Sequence, residues 1–143
     1  MTQAVYVARA HVTGGRDGHG RSDDGKLDVP LRMPPELGGD GAGTNPEQLF
    51  AVGFASCFAT VLTSLGRRGR LAVADVAVDC AVSLVPVGDG TFVLSARFDI
   101  ALPHLGDGEI AAGLVRQAHK ICPYSRAVSG NVEVAMRVNG IEV

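Results

Sequence analysis

Three cysteines are the residues of this 143-residue sequence with the most distinctive chemistry. Cys57 lies within a long apolar segment, Cys122 directly precedes a proline, and Cys80 lies in a stretch of alternating apolar and polar residues. A cysteine can serve as a nucleophile, a metal ligand or half of a disulfide, and its thiolate is the reactive form. Because three is a small and odd number, the pattern does not indicate the disulfide framework of a small secreted protein.

Cys57 is predicted to lie in the middle of the clearest helix of the chain. Asn45 is a good N-cap, and the helix should run to about Gly66. Cys57 shares an apolar face with Phe54, so a small buried core residue is one interpretation. Gly53, one turn earlier, is a poor helix former and indicates that another group approaches closely there. A reactive thiol is therefore the second interpretation.

The other two cysteines differ in their surroundings. Cys122 lies at a helix end, a position that is usually less buried and more mobile than mid-helix and so suits a thiol that must move. A cysteine without a role is equally compatible with that position. Cys80 continues an apolar strand face with Val78 and Val82, which favours packing in the core.

Two charged residues could assist a reactive thiol. Arg16 lies in the glycine-rich turn 14–18, where it is either a solvated turn residue or a cation that favours a thiolate. A mid-helix Cys57 would need such a cation, because the helix dipole acts mainly on the first and last turns. Glu47 lies in the first turn of the predicted helix, where a carboxylate favours the positive end of the dipole.

Composition and motifs exclude several other classes. Thirteen Lys plus Arg against fifteen Asp plus Glu argue against binding to nucleic acid through phosphates. The four histidines lie far apart and no CxxC pair is present, so we expect neither a metal site nor a cofactor. No apolar run approaches the ~20 residues of a membrane span, and no signal peptide is recognisable, so we expect a cytoplasmic protein without a membrane partner.

The predicted elements follow the order βββ, α, ββ, α, β. Sequence alternation places the strands at Ala4–Val12, about Gly20–Asp23, Lys26–Arg32, Val76–Leu84, Phe92–Leu102 and Asn131–Asn139. A second helix should begin at Asp107 and end before Pro123. Since the strands come in antiparallel blocks rather than alternating with helices, we expect an α+β fold with a single domain over residues 1–143.

At this point the sequence resembles a known family. The string Asn45–Ala51 with Cys57 downstream looks like the first central helix of OsmC-like proteins. The turn Gly14–Gly18, the stretch Pro35–Gly39 and the string His119–Ser125 are similar to the organic hydroperoxide resistance branch of that family. These motifs appear in the expected order and cover nearly the whole chain.

The resemblance implies a fold, an activity and a set of site residues. The implied fold has antiparallel sheets packed around two central helices in an intertwined homodimer. The implied activity is a thiol peroxidase for organic hydroperoxides, in which Cys57 is the peroxidatic cysteine and Cys122 the resolving one. Arg16 and Glu47 correspond to the charged pair that supports the thiol, and the reductant would be a dithiol, of the lipoyl type, carried by a protein partner.

Other functions remain open from the sequence. A broader OsmC-type peroxidase with a different substrate preference is the nearest alternative. A redox sensor or small-ligand-binding dimer could use the same cysteines as a reversible disulfide switch. A structural dimer with three inert thiols is the third alternative.

Helix geometry also suggests how the site is assembled. Glu47 and Cys57 are ten residues apart on one predicted helix, which is about 15 Å along the axis with the side chains roughly 80° apart. A glutamate cannot span that distance. The resemblance places both residues in one site, so an antiparallel copy of the helix across a two-fold axis would have to supply the second residue. The resemblance and the helix geometry together predict an obligate homodimer with two shared sites.

Overall fold

A three-stranded antiparallel sheet forms the N-terminal part of the computed structural model, which describes residues 2–143. The sheet has the order β1–β2–β3, with β1 at Ala10–Thr13, β2 at Gly18–Ser22 and β3 at Asp28–Leu31. The backbone clusters into two compact units that divide after Leu49. The single domain over residues 1–143 stays a prediction.

The first strand is shorter than the sequence predicts. Residues 4–9 were expected to be part of it, but β1 begins at Ala10. Ala10 pairs with Ser22, the last residue of β2, so the ladder ends where its partner strand ends. The alternation of apolar and polar residues could not predict where β1 begins. Alternation shows on which face of a strand each side chain lies, but not how long the neighbouring strand is.

The dipeptide Asp24-Gly25 predicts a two-residue hairpin turn, since glycine tolerates positive φ, but the turn between β2 and β3 is longer. Ser22 N–H donates to the Leu27 carbonyl (2.8 Å), so four residues link the paired positions. The Asp24 side chain accepts from Lys26 N–H (3.0 Å) and stabilises this wider turn. Pro30 lacks a backbone N–H and so predicts an edge strand, which is confirmed because β3 is an outer strand of the sheet.

The long helix α1 runs from Pro46 to Arg68 and begins as predicted. The Asn45 side chain accepts from Gln48 N–H at 2.9 Å, which confirms the N-cap. The Gln48 side chain accepts from the Thr44 hydroxyl (2.7 Å) rather than completing a capping box. A single 3₁₀ turn at Pro35–Leu37 lies in the loop before the helix.

The second sheet contains four strands in the order β4–β5–β6–β7. Strands β4 (Ala77–Gly88) and β5 (Thr91–Ala101) form the predicted antiparallel hairpin. Its two turn residues, Asp89 and Gly90, both have positive φ, as a type I′ turn requires. The remaining strands are β6 (Glu133–Val138) and β7 (Ile141–Glu142), and the sequence did not predict β7.

The predicted α+β class is confirmed, with one difference in strand direction. β6 pairs with β5 in parallel, whereas the other strand pairs are antiparallel. Helices α2 (Gly108–Ile121) and α3 (Pro123–Ala127) connect β5 to β6. A crossover of this length returns the chain to the same end of the sheet, which is the condition for a parallel pair.

The core of the second unit lies between the two longer helices and the four-stranded sheet. The ring of Phe98 on β5 contacts Phe54 and Phe58 of α1, with ring centroids 4.6 and 5.3 Å apart. Further buried residues of this core are Leu62, Val73, Ala96, Ile100, Leu102, Ala111, Leu114, Val115, Ala118, Met136 and Val138. These contacts bury one face of α1 and one face of α2 against the sheet.

The sequence of α1 is apolar nearly all round from Leu49 to Leu62, which predicts a helix buried on all sides, and within one chain this prediction is wrong. The buried residues of α1 form a single stripe of Phe54, Phe58, Leu62 and Gly66, spaced four apart. The opposite side is exposed, and Val52 keeps 69% of its surface accessible. The apolar residues around α1 therefore include some that a single chain does not bury.

Helix α1 is long and apolar enough, by length and composition, to cross a membrane. An 18-residue window within Pro46–Arg68 has a mean hydropathy of 1.8, which corrects the expectation that no stretch approaches this length. Ser56 and Thr60 interrupt the apolar run, but their hydroxyls donate to carbonyls of the preceding turn. Core helices of water-soluble proteins pass the same test, so the finding is weak evidence for a membrane segment.

The packing of Gly66 gives a test of this fold. A methyl group on Gly66 would lie 3.0 Å from Cγ2 of Val73 and closer still to Cγ1. Gly66→Ala should therefore destabilise the protein by about 1–3 kcal/mol, although alanine normally favours a helix. Urea unfolding at fixed protein concentration measures the change.

Gly113→Ala is the matched control, because this glycine of α2 has no atom within 4 Å of its added methyl group. That substitution should stabilise the protein by up to about 1 kcal/mol. Equal effects of the two substitutions would contradict the packing described for Gly66.

Candidate active site

Arg16 and Glu47 form a two-pronged ion pair. Arg16 extends from the turn between β1 and β2, and its two terminal nitrogens donate to the two carboxylate oxygens of Glu47 at 2.8 and 2.7 Å. The side chains are 34% and 17% exposed, so the pair is partly shielded from water. The sequence named both residues as site candidates, and the structure brings these two together.

Each member of this pair keeps the other charged. The hydrogen bond from Arg16 lowers the pKa of Glu47, against an opposing effect of burial. In turn, the hydrogen bond to Glu47 raises the pKa of Arg16. The site therefore keeps a fixed cation, with its counter-ion attached, across the physiological pH range.

The two cysteines that the sequence singled out also lie together. The Cys122 thiol donates to the sulfur of Cys57, with the two sulfur atoms 3.8 Å apart. Both are free thiols in this structure. A disulfide requires about 2.05 Å between the sulfurs, so a modest movement of the side chains would join them.

The burial of Cys122 corrects the prediction made from its position. The sequence suggested an exposed, mobile helix end, but Cys122 is 0% exposed. Its N–H donates to the Ala118 carbonyl, and its own carbonyl accepts from Arg126 N–H. Because α3 begins at Pro123, directly after Cys122, this position is a packed corner between two helices and not a free terminus.

The surroundings of Cys57 disfavour its thiolate on balance. Burial raises the pKa of the Cys57 thiol, and the neighbouring Cys122 raises it further. The backbone N–H of Tyr124 acts in the opposite direction, because a donor aimed at the sulfur stabilises negative charge. Within the second unit, the backbone N–H of Tyr124 is therefore the group that favours the Cys57 thiolate.

An aromatic cluster lies beside Cys57 along the same helix. The ring of Tyr124 stacks near Phe54 and meets Phe50 edge-on, at centroid distances of 5.9 and 6.2 Å. A methyl group on Gly53 would lie 2.8 Å from the Tyr124 hydroxyl. The close approach that the sequence predicted at Gly53 is thus confirmed, and the group that approaches is Tyr124.

A polar contact that the sequence did not predict lies next to Cys122. His119 Nδ1 and the hydroxyl of Ser125 lie 2.9 Å apart and join α2 to α3 across the corner. Ser125 is only 2% exposed, and burial lowers the pKa of His119. Both residues belong to the string His119–Ser125, but their side chains meet only because the chain turns between α2 and α3.

Cys80 lies apart from this chemistry. It is half-buried on β4 and packs against the core of the second unit, as its strand position predicted. Burial raises the pKa of its thiol. Among residues 2–143, no group of three or more His, Cys, Asp or Glu side chains is placed to hold a metal ion.

Comparison with known proteins identifies the family. A family model described as OsmC-like protein matches residues 38–137. An organic hydroperoxide resistance protein of Xanthomonas axonopodis pv. citri is 40% identical over 136 residues, which cover 94% of both proteins.

Solved structures give the same result. The crystal structure of the organic hydroperoxide resistance protein OhrB of Bacillus subtilis is similar at a TM-score of 0.86 and 39% identity, over 95% of this chain and 100% of that chain. A putative organic hydroperoxide resistance protein of Vibrio cholerae, with captopril bound in one of its active sites, is similar at a TM-score of 0.92 and 40% identity, over 99% and 96%. By sequence and by structure, the chain belongs to the OsmC-like family, in its organic hydroperoxide resistance branch.

Proposed function

We propose that this protein is a thiol peroxidase that reduces organic hydroperoxides to alcohols in the cytoplasm. The observation that carries the proposal is the pair of free thiols, Cys57 and Cys122, with sulfurs 3.8 Å apart beside an aromatic cluster. The names of the relatives, organic hydroperoxide resistance proteins, support the same chemistry.

The first step is attack of the Cys57 thiolate on the terminal oxygen of the hydroperoxide. The O–O bond breaks, an S–O bond forms, and two electrons pass from sulfur to the peroxide. The leaving alkoxide takes up a proton and departs as an alcohol, and Cys57 remains as a sulfenic acid. Arg16 stabilises the thiolate and the charge that develops on the leaving oxygen.

The second step joins the two cysteines. The sulfur of Cys122 attacks the sulfenic sulfur of Cys57, a disulfide forms, and the sulfenic oxygen leaves as water. This step stops the oxidation before the irreversible sulfinic acid. The short distance between the sulfurs favours it, and the complete burial of Cys122 keeps peroxide away from the second thiol.

A dithiol then restores the enzyme by exchange. One thiolate of the reductant attacks a disulfide sulfur, and its second thiolate releases the enzyme while the reductant closes to a cyclic disulfide. We place the attack on Cys57, because Cys122 is fully buried and Cys57 is only half-buried. The reductant is a lipoyl-type dithiol carried by a protein partner, since such a group reaches the sulfur on a long flexible arm.

The environment of Cys57 favours organic over inorganic peroxides. Phe50 of α1 and Tyr124 of α3 form the accessible part of an apolar cluster, which the fully buried Phe54 supports from beneath. Such a surface stabilises the hydrocarbon part of a fatty or aromatic hydroperoxide by removing it from water. Hydrogen peroxide has no such part and gains nothing from it.

The active unit is a homodimer with two shared sites. Glu47 and Cys57 lie on the same helix, ten residues apart, so about 15 Å of helix axis separates them. The side of α1 that one chain leaves uncovered carries small side chains such as Ser56 and Thr60 beside Val52, so a second copy can approach it closely, and only 22% of the most apolar window of the helix is buried in one chain. Arg16 and Glu47 of one subunit would then serve Cys57 and Cys122 of the other.

Catalytic turnover of a hydroperoxide distinguishes the proposed peroxidase from the alternative functions. A redox sensor, a small-ligand-binding dimer or a protein with inert thiols would not consume peroxide catalytically. Reduction of cumene hydroperoxide with dihydrolipoamide, above the rate of a Cys57→Ser control, is the deciding assay. Absence of that difference would refute the proposed activity.

Single substitutions should separate the roles of the cysteines. Cys57→Ser should lower turnover by more than about a hundredfold, because no nucleophile remains. Cys122→Ser should leave the first step intact but let Cys57 proceed to sulfinic and sulfonic acid, visible by mass spectrometry after addition of peroxide.

Cys80→Ala is the matched control for these cysteine variants. It should keep wild-type turnover and lose about 1 kcal/mol of stability, because it truncates a side chain packed against the core. A Cys122→Ser protein free of over-oxidised Cys57, or an inactive but folded Cys80→Ala protein, would contradict these assignments.

Mixed dimers test the shared site. Glu47→Ala and Cys57→Ser proteins, each inactive alone, should recover activity when they are unfolded and refolded together. In a heterodimer one site carries both substitutions and the other is wild type, so roughly half of the wild-type activity is expected per heterodimer.

Refolding each variant alone under the same conditions is the control. If verified heterodimers show no activity, each site is confined to one chain and the shared-site proposal is wrong.

A further inference from the structure

The turn that carries Arg16 depends on glycines for its shape. Gly14 and Gly15 have φ values of 73° and 60°, which L side chains rarely adopt. A methyl group on Gly14 would lie 2.7 Å from the Asp17 carbonyl oxygen. Asp17 N–H closes the turn by donating to the Gly14 carbonyl at 3.2 Å. Because glycines leave a chain many other conformations, additional contacts must hold this turn in place.

The carboxylate of Asp17 supplies such a contact. Its Oδ1 accepts from the backbone N–H of Met33 at 3.1 Å. Met33 lies two residues beyond β3, so this hydrogen bond joins the Arg16 turn to the loop that leads to α1. The guanidinium of Arg16 takes no part in it.

That loop is itself fixed at both ends. The Met33 carbonyl accepts from Gly41 N–H at 3.0 Å, and Thr44 N–H donates to the Pro30 carbonyl at 2.9 Å. The loop then delivers the N-cap residue and Glu47. A group tied to Met33 is therefore held relative to the carboxylate that pairs with Arg16.

We propose that Asp17 is a positioning residue for Arg16. Its hydrogen bond from Met33 keeps the turn in place relative to Glu47, so that the Arg16 guanidinium is held where the proposed reaction needs it. The inference rests on the proposed function, in which Arg16 serves the thiolate and the leaving oxygen. The ion pair with Glu47 holds only the end of the Arg16 side chain, so the backbone of the turn needs an anchor of its own, and Asp17 is the adjacent residue.

What matters in this role is an acceptor atom at Oδ1 rather than a negative charge. Asparagine has nearly the same shape and keeps an acceptor oxygen, whereas alanine removes it. The alternative is that the negative charge of Asp17 matters through its attraction to Arg32. The pKa of Arg32 is raised mainly by Asp40 and to a lesser degree by Asp17. Asp17→Asn removes that attraction and preserves the contact with Met33.

The experiment compares Asp17→Ala, Asp17→Asn, Arg16→Ala and the double variant with both alanines. With cumene hydroperoxide and dihydrolipoamide, Asp17→Ala should lower kcat/KM about tenfold, and Asp17→Asn should stay within about twofold of wild type. The double variant should be no worse than Arg16→Ala, because a residue that acts through Arg16 has no effect without it. All rates are measured below the lowest melting temperature of the set.

A second measurement does not require turnover. In a background that carries Cys80→Ala and Cys122→Ser, the pH dependence of iodoacetamide alkylation reports the pKa of Cys57. Asp17→Ala should move this profile to higher pH, in the same direction as Arg16→Ala and by a smaller amount, and Asp17→Asn should leave it in place. A loss of stability alone would not move the profile.

The outcomes separate this inference from the proposed function. If Arg16→Ala is impaired and Asp17→Ala is not, the positioning role is wrong and the proposed function stands. An Asp17→Asn protein as impaired as Asp17→Ala, or losses that add in the double variant, would also overturn the positioning role. If Arg16→Ala keeps wild-type kcat/KM and an unshifted alkylation profile, the role of Arg16 in the proposed function is itself wrong.

Discussion

The close approach of the corner between α2 and α3 to helix α1 is the contact on which the candidate chemistry depends. It sets the distance between two sulfurs that are 65 residues apart in the sequence. Gly53 permits this approach, because a larger residue would collide with Tyr124. On the buried side of α1, Phe54 packs on Phe98 of the sheet and fixes the distance between the helix and the sheet. A thiol pair built on such rigid elements is held more precisely than one placed on loops.

Burial has two opposing consequences at this site. It places Cys57 beside an apolar cluster and seals Cys122 from solvent, which suits a resolving thiol. The same burial raises the pKa of Cys57 and disfavours the thiolate that peroxide chemistry needs. A fixed cation is the physical remedy, and the proposed mechanism gives this role to Arg16, whose hydrogen bonds also keep the Glu47 carboxylate ionised.

Arginine carries a positive charge in any surroundings, but the position of the Arg16 side chain depends on contacts of the turn that carries it. A glycine-rich turn can present a long side chain only if the turn is itself held. Hydrogen bonds at Asp17 and Met33 meet this requirement by using main-chain groups of the loop before α1. The same loop leads to Glu47, so both members of the ion pair depend on it.

Much of the architecture was determined by the sequence by itself. The N-cap at Asn45, the hairpin turn at Asp89-Gly90, the helix start at Asp107 and the α+β order follow from local rules of capping, turn chemistry and alternation. The candidate site residues could be named because they lie within short motifs.

Only the tertiary structure decided which of these residues meet and how deeply they are buried. Cys122 is buried rather than mobile because α3 continues beyond Pro123, and β6 is parallel because two helices return the chain to the same end of the sheet. Neighbours that are distant in sequence determine the partners of Tyr124 and Asp17. Local patterns encode the face of an element, whereas contact, burial and pKa depend on what the rest of the chain places against that face.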